Sequence, residues 1–341
     1  MGDLDDAPSS IRWGGFNSSE LWEPSRATQA DIQQLFGRGG DVQRIVPGQY
    51  GVIFQEHSIY RMDYAGAGIT FSLNEISRGR GTPAPRSVCW LGNDVFYYGY
   101  DDFYRFDGQE SHPLGINRVA RWAKDNIDEA AYSSMQGVVN RRNNTVMWTF
   151  KSSALLDSNN MVLIYNWGAD KWSYAELDTQ VLGEFVSPSV SLDSDAFNTL
   201  YGDDIDGTNQ RSFDDPIYAG NQLNVIAFDA DNKAATFSGA ALPAVLDTRE
   251  IGGSGMQVVI NNIRPEVDGV NVEANVQIGY RDSQLYTPMF TNPRAVNKHG
   301  EANLRRRARY ARIRVNINSD LTMRRAFSSK CAKAGDDNVR P

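Results

Sequence analysis

His57, His112 and His299 are the three histidines of the chain, and imidazole is both the side chain that ionises near neutral pH and the commonest metal ligand. Each stands in a different turn-like stretch, and no two share the spacing that brings a pair of imidazoles to one metal. They read as water-facing turn residues. YGDDIDG, residues 201–207, has the outline of a calcium loop. With Gly207 set at its sixth position, the first position falls on Gly202 and the twelfth on Phe213, where such a loop requires oxygen-bearing side chains and ends on a bidentate Glu. Asx hydrogen bonds within Asp-rich turns account for the phrase instead.

Glycoside hydrolysis needs two carboxylates about 5–10 Å apart. The chain has 42 Asp and Glu, so a nominal pair always exists and its existence decides nothing. The sequence has no Ser-x-Asp-x-Gly-x-Thr-Trp turn of the sialidase type, no Gly-x-Ser-x-Gly and no dinucleotide-binding Gly-x-Gly-x-x-Gly phrase. SRGRGTPAP, residues 77–85, puts prolines where a phosphate loop would enter a helix. The expectation is a protein with no catalytic, cofactor-binding or metal-ligating residue, and no enzyme.

Residues suited to contacts remain. RRRARYARIR, residues 305–314, carries Arg305, Arg306, Arg307 and Arg309, and Trp122, Trp167 and Trp172 are the other candidates. A basic run can hold nucleic acid. Strand alternation offers a second reading, with Ala311, Ile313 and Val315 inward and Arg312 and Arg314 outward toward acidic neighbours. The net charge of -8 favours salt bridges between subunits over capture of nucleic acid, which needs clustered Lys and Arg to neutralise phosphates.

The elements that would position these residues are strands. VIFQEHSIYRMD (52–63) lines up with FYYGYDDFYRFD (96–107), each a run of β-formers, a polar turn and a second run ending in Asp. Tyr60 and Tyr104 stand 44 positions apart by their residue numbers, within the ~40–50-residue period of propeller blades, whose unit is a four-stranded meander. GVVNRRNNTVMWTF (137–150), MVLIYNWGADKWSYAEL (161–177) and NVIAFDADNKAATF (224–237) read as further hairpins. INRVARWAKDNIDEAAYSSM (116–135) is the one helical segment, with Val119, Trp122, Ala123 and Ile127 on one face. Residues 191–222 read as long loops around a short strand.

IGGSG (251–255) reads as a joint, and the alternating segments beyond it, 256–318, as a small β-sandwich-like module. The fold expected is all-β. A β-propeller-like platform of four-stranded blades spans 1–250, with a helical insertion near 116–135. A C-terminal β module at 251–320 and a loosely ordered polar tail at 321–341 follow. Hydrophobic residues make up 41% and charged residues 22%, a globular balance that argues against disorder. Two cysteines, Cys89 and Cys331, are too few for a disulfide framework. MGDLDDAPSS at the start is acidic and polar, unlike a secretion signal, and no apolar run approaches the ~18 residues of a membrane span. A soluble product of a reducing cytoplasm is expected.

IRWGGFNSSELWEPS (11–25), RIVPGQYGVIFQEHSIYRMDY (44–64), RGTPAPRSV (80–88) and LGNDVFYYGYDDFYRFDG (91–108), in that order, resemble the tail hub or nozzle proteins of short-tailed bacteriophages. INNIRPEVDGVNVEANVQIGYRD with ARYARIRVNI is similar to the module that ends those proteins. Tyr100-Asp101-Asp102 departs from the usual Asp-Gly before the second hairpin strand. The resemblance implies a structural virion protein of the tail, assembled in the host cytoplasm. It implies a closed ring of copies, a homohexamer, below the portal and adaptor. That ring would dock tail fibres, spikes or a needle and line the channel through which genomic DNA passes during ejection, with an acidic lumen that does not retain it. It implies no cofactor. Fewer blades than the family, or a propeller completed by a separate chain, are both open. The rival reading is a glycan-binding or glycoside-hydrolysing β-propeller, on the Trp and Asp content.

Overall fold

Runs of Val, Ile, Phe, Tyr and Trp broken by Gly, Asn and Asp turns give short antiparallel strands, and the meanders they form follow chain order. The structure, a computed structural model, describes residues 1–4, 7–66, 68–186, 223–237, 243–253, 257–268, 273–317 and 322–334. It divides into two units, Met1–Phe237 and Ser238–Pro341.

The first unit holds five consecutive sheets. The first has β1 (Gly2–Leu4), β2 (Ala7–Trp13) and β3 (Asp31–Gln34). The second has β4 (Val42–Val46), β5 (Gly51–Gln55), β6 (Ser58–Tyr64) and β7 (Phe71–Arg78). The third has β8 (Cys89–Leu91), β9 (Asp94–Tyr98), β10 (Phe103–Phe106) and β11 (Ser111–Pro113). The fourth has β12 (Gln136–Asn140), β13 (Thr145–Phe150), β14 (Asn159–Asn166) and β15 (Lys171–Thr179). The fifth has β16 (Val181–Val186), β17 (Leu223–Phe228) and β18 (Ala234–Thr236). In every sheet the strands lie side by side in chain order.

Strand alternation decides how these sheets stack. On β5, Ile53 packs toward the first sheet with Ile11, Leu35 and Tyr60. Its neighbours Val52 and Phe54 point the other way, onto Val95, Tyr97, Tyr104 and Phe106 of the third. The far face of the third sheet, with Phe96, Tyr98 and Phe103, meets Trp148, Phe150 and Leu163 of the fourth. Val138, Met147 and Val162 then meet Leu182, Val225 and Ala227 of the fifth. Each middle sheet is buried on both faces, between its predecessor and its successor. That is blade packing, and the fold is all-β and propeller-like, with three four-stranded blades between a first and a fifth sheet that have three described strands each. Among the described residues no apolar cluster joins the fifth sheet to the first.

The repeated phrase falls on equivalent places in neighbouring blades. Ile53 lies opposite Tyr60 on β5 and β6, and Tyr97 opposite Tyr104 on β9 and β10. Both tyrosines face the preceding sheet.

Helix α1 (Ala120–Asn126) and a 3-10 turn (Glu129–Ser134) connect β11 to β12. The expected apolar face is the buried one: Val119, Ala123 and Ile127 join the cluster between the third and fourth sheets, and Trp122 packs against it. The helix is shorter than the 116–135 segment because Ile127 is extended. Asp128 then starts a new turn by accepting the Ala130 N–H at 2.9 Å.

The second unit contains two sheets. One is ordered β19 (Ala244–Asp247), β26 (Tyr310–Ile317), β22 (Ala274–Arg281) and β23 (Met289–Phe290), with β20 (Ile251–Gly252) on β26 and β24 (Arg294–Ala295) on β22. The other is β25 (Arg306–Ala308), β21 (Gln257–Asp268) and β27 (Thr322–Ala334). Ile260 and Ile263 of the second sheet share a core with Val276, Ile278, Ile313 and Val315 of the first, a sandwich-like arrangement. Two boundaries differ from expectation. The unit begins at 238 instead of 251, because β19 pairs with β26. Residues 322–334 form a strand instead of a loose tail, because the long β21 takes β27 as its partner.

Candidate functional site

The first strands of the second to fifth sheets each occupy one edge of their sheet. Their side chains border a funnel of about 480 Å³, lined by Arg44, Arg86, Trp90, Gln136, Arg141 and Glu184 among others. Three different local devices deliver the arginines. On β4 the pairing with β5 slips between Val42 and Arg44. Such a bulge re-aims the side chain that follows it: Val42 is buried while Arg44, two residues on, is exposed. Arg86 sits in a 3-10 turn, Pro85–Ser87. Ser87 pins that turn, since its Oγ donates to Ala84 O at 2.7 Å and accepts from Tyr98 N at 3.2 Å, while its carbonyl accepts from Trp148 Nε1 at 3.0 Å. Arg141 is the first residue after β12.

The floor is tied together across sheets. Gln136 is buried; its Nε2 donates to Gln180 O at 3.0 Å and its Oε1 accepts from Leu182 N at 3.0 Å. Gly137 lets β12 approach the 3-10 turn closely: a Cβ there would overlap Ser87 O and lie 3.1 Å from Trp148 Cδ1. Cys89 also lines the funnel, but burial first and the Glu184 carboxylate second push its thiol far up, so it is no nucleophile. Arg44, Arg86 and Arg141 have no ion-pair or hydrogen-bond partner among the described residues. Among the described residues Glu184 is the one carboxylate in the lining. The arrangement can hold an anion.

A second depression, of about 500 Å³, lies at the outer edge of the fourth sheet and includes Asn126, Asn160, Glu176 and Asp178. Glu176 and Asp178 are two apart on β15, roughly 6.6 Å by strand rise. Both carboxylates are exposed to water. Among the described residues no group of three or more His, Cys, Asp and Glu could hold a metal, and no helix is long and apolar enough to cross a membrane.

The tryptophans named from sequence gather around one core. Trp167 stacks on Phe96 with ring centroids 6.0 Å apart. Trp172 lies 4.6 Å from Tyr165 and 6.0 Å from Trp148, and its Nε1 donates to Leu114 O at 3.3 Å. Trp122 meets Phe150 edge-on at 6.4 Å and the exposed Tyr174 at 4.9 Å. None of the three lines the funnel.

In the basic run, Arg306 lies 3.7 Å over the Tyr280 ring, and Arg305, Arg307 and Arg309 are exposed. Ala311, Ile313 and Val315 are buried. The acid that meets the outward arginines belongs to the same chain. Asp247 takes Arg314 Nε at 2.7 Å and Nη2 at 2.8 Å, and stands 3.9 Å from Arg312. Phe290 carries both guanidiniums, at 5.0 and 3.8 Å from its ring centre. For Arg312 and Arg314 this internal pairing replaces the expected inter-subunit one.

The histidines sit apart. His57 lies 4.9 Å from the Tyr100 ring. His112 Nε2 contacts Asp107 Oδ2 at 3.0 Å, and the His299 N–H donates to Asn297 Oδ1. The N–H of Glu110, then His112, hold the Asp107 carboxyl down at about 2. Residues 201–207, the calcium-loop phrase, lie outside the described residues.

Asp102, part of the Tyr100-Asp101-Asp102 departure, is buried and accepts the N–H groups of Phe103 at 2.8 Å and Gly115 at 3.0 Å. Desolvation raises its pKa, while those N–H bonds favour the charged form. It is a structural acceptor that closes the turn leading into β10.

No family model and no curated protein matches the chain. Among solved structures it is similar to two crystal structures of exo-beta-1,3-galactanase variants from Phanerochaete chrysosporium with beta-1,3-galactotriose. The first has 9% identity and a TM-score of 0.26, covering 95% of this chain and 92% of that one. The second has 9% identity and a TM-score of 0.25, covering 85% and 79%. A likeness at that level says nothing of what this chain binds.

Proposed function

We propose that the chain is a non-catalytic building part of a short-tailed bacteriophage tail, a hub or nozzle subunit. In this reading copies close into a ring below the portal and adaptor, dock fibres or spikes, and border the path of the genome. One observation carries it. The phrases that resemble tail hub proteins follow one another along residues 11–108, and two of them form the second and third strands of adjacent blades at matching positions. The half-buried Trp167 and Trp172 support the reading, since both are engaged in holding a core and not offered as a sugar platform. A ring of this kind uses head-to-tail contacts that close by rotation. The test is to mix the purified full chain with the portal–adaptor complex of a short-tailed phage that encodes it and follow co-sedimentation. Joining the adaptor as a ring is expected. A chain that stays monomeric and never joins refutes the proposal.

Glu176 and Asp178 motivate a second reading, a glycan-active propeller, because they place two carboxylates in one depression at the edge of the fourth sheet, the residue types that glycoside hydrolysis uses. Both are open to water on an edge strand, without the desolvation that keeps a catalytic acid protonated. A reducing-sugar assay with a glycan array decides between the two. Activity that disappears in Glu176→Gln and Asp178→Asn would establish the second reading.

A further inference from the structure

We infer that the funnel bordered by β4, β8, β12 and β16 is a receptor site for a compact, multiply charged oxyanion, bearing phosphate or carboxylate groups. The inference does not depend on the tail reading. The chain has 42 acidic and 34 basic residues, yet among the described residues the funnel lining gathers Arg44, Arg86 and Arg141 against Glu184 alone. The three arginines come from a bulged strand, a 3-10 turn and the residue after a third strand, far apart in sequence, so no local sequence preference places them together. Several arginines elsewhere in the chain meet carboxylates, as Arg61 does Asp63, Arg105 does Asp94, Arg118 does Asp170 and Arg281 does Glu250; what sets the funnel apart is three arginines lining one cavity. Converging like charges without such a counterion disfavour the fold, and an anion from outside removes that cost.

The backbone that carries the charged side chains is held firmly. Ser87 fixes the turn of Arg86 through three hydrogen bonds, and Gln136 locks the fourth sheet to the fifth. A backbone held in place leaves only the arginine side chains to be ordered on binding. The volume, about 480 Å³, falls in the range of small-molecule pockets, ~300–1,000 Å³, and is far too small for duplex DNA. Guanidinium forks match phosphate and carboxylate oxygens two at a time. Three forks call for a ligand with more than one anionic group. Glu184 repels such a ligand from one wall and gives the test its direction.

Isothermal titration of the full chain at low salt, about 50 mM, uses pyrophosphate as the phosphate probe, citrate as the carboxylate probe and a neutral trisaccharide as the control. Saturable binding of at least one anion is expected, with no heat from the sugar. Whichever anion binds tells the source of the oxyanion. Arg44→Gln, Arg86→Gln and Arg141→Gln each weaken binding about tenfold or more, the loss of one charge-assisted contact. Glu184→Gln tightens it severalfold, and Arg26→Gln, on an exposed loop away from the funnel, leaves it unchanged. All four funnel residues are exposed, so the variants fold, and thermal melts check that they do. A wild-type titration at about 500 mM salt, which needs no variant, must show clearly weaker binding. Neither anion binding, a triple arginine variant binding like wild type, Glu184→Gln weakening the complex, or salt-insensitive binding each overturns the inference.

Discussion

Replacing Gly137 by alanine adds one methyl group where β12 of the fourth sheet passes the Pro85–Ser87 turn that leads into the third. The new carbon would overlap Ser87 O, stand 3.0 Å from Ser87 C and 3.1 Å from Trp148 Cδ1. The backbone at Gly137 is in an ordinary region for any residue, so the cost is steric and not conformational. Two of these neighbours are backbone atoms of a turn that four interactions hold: the Ala84, Tyr98 and Trp148 hydrogen bonds and the packing of Trp148, which is fully buried. Relief requires the two sheets to separate by roughly 1 Å, toward normal carbon contact. Overpacking of this kind costs about 1–3 kcal/mol, and stretching the buried Trp148–Ser87 bond adds about 1–3 kcal/mol. With a total near 3 kcal/mol, a unit of this size loses roughly 6–12 °C in Tm. Gly183→Ala on β16 is the matched control, since a Cβ there would meet Ile226 Cγ2 at an ordinary 3.8 Å. It should leave Tm within a degree or two, or raise it slightly by restricting the unfolded chain. Circular dichroism melts of both variants decide the matter. A Gly137→Ala protein melting with wild type would refute the packing of the third and fourth sheets described above.

Asp107 gives a pH prediction. Its carboxyl is held at about 2, below the ordinary 3.8, so the stability it contributes is present above pH ~4 and lost as pH falls through ~2. Discounted for its partial exposure to water, that is about 1 kcal/mol; urea midpoints between pH 5 and 2 should fall less for Asp107→Asn than for wild type, and equal slopes would contradict the assignment. Asp247 is likewise held low, by the Arg314 hydrogen bonds first, so Asp247→Asn should cost about 1 kcal/mol at neutral pH, with the gap to wild type closing in acid. A constant gap in acid titrations would show that charge pairing is not the cause. Trp172→Ala should destabilise the first unit by about 3 kcal/mol as a core truncation; an unchanged melt together with lost glycan binding would instead favour the sugar-platform role.

The blades were legible because their signal is local. The SIYRMD and DFYRFD phrases place an aromatic residue on the same face of the same strand in two successive sheets, and the turns Arg141–Asn144 and Trp167–Asp170 fall between strands as their Asn, Asp and Gly content implies. The buried face of α1 was legible from the spacing of Val119, Ala123 and Ile127. The funnel was not. Arg44, Arg86 and Arg141 share no period, and Arg44 reaches its place through a bulge that breaks the alternation a reader would count. The partners of the basic run were hidden for a related reason. Tyr280, Phe290 and Asp247 meet it only through strands distant in sequence. Residues 322–334 are polar, and their strand exists because β21 is long enough to need a second neighbour.

Cryo-electron microscopy of the purified full chain, under conditions where it assembles, tests the central claim most directly. The account predicts closed rings of copies, each with five successive antiparallel sheets fanned about a narrow arginine-edged funnel. Monodisperse single copies with sheets stacked in another order, or a deep cleft of converging acids around a sugar, would contradict it.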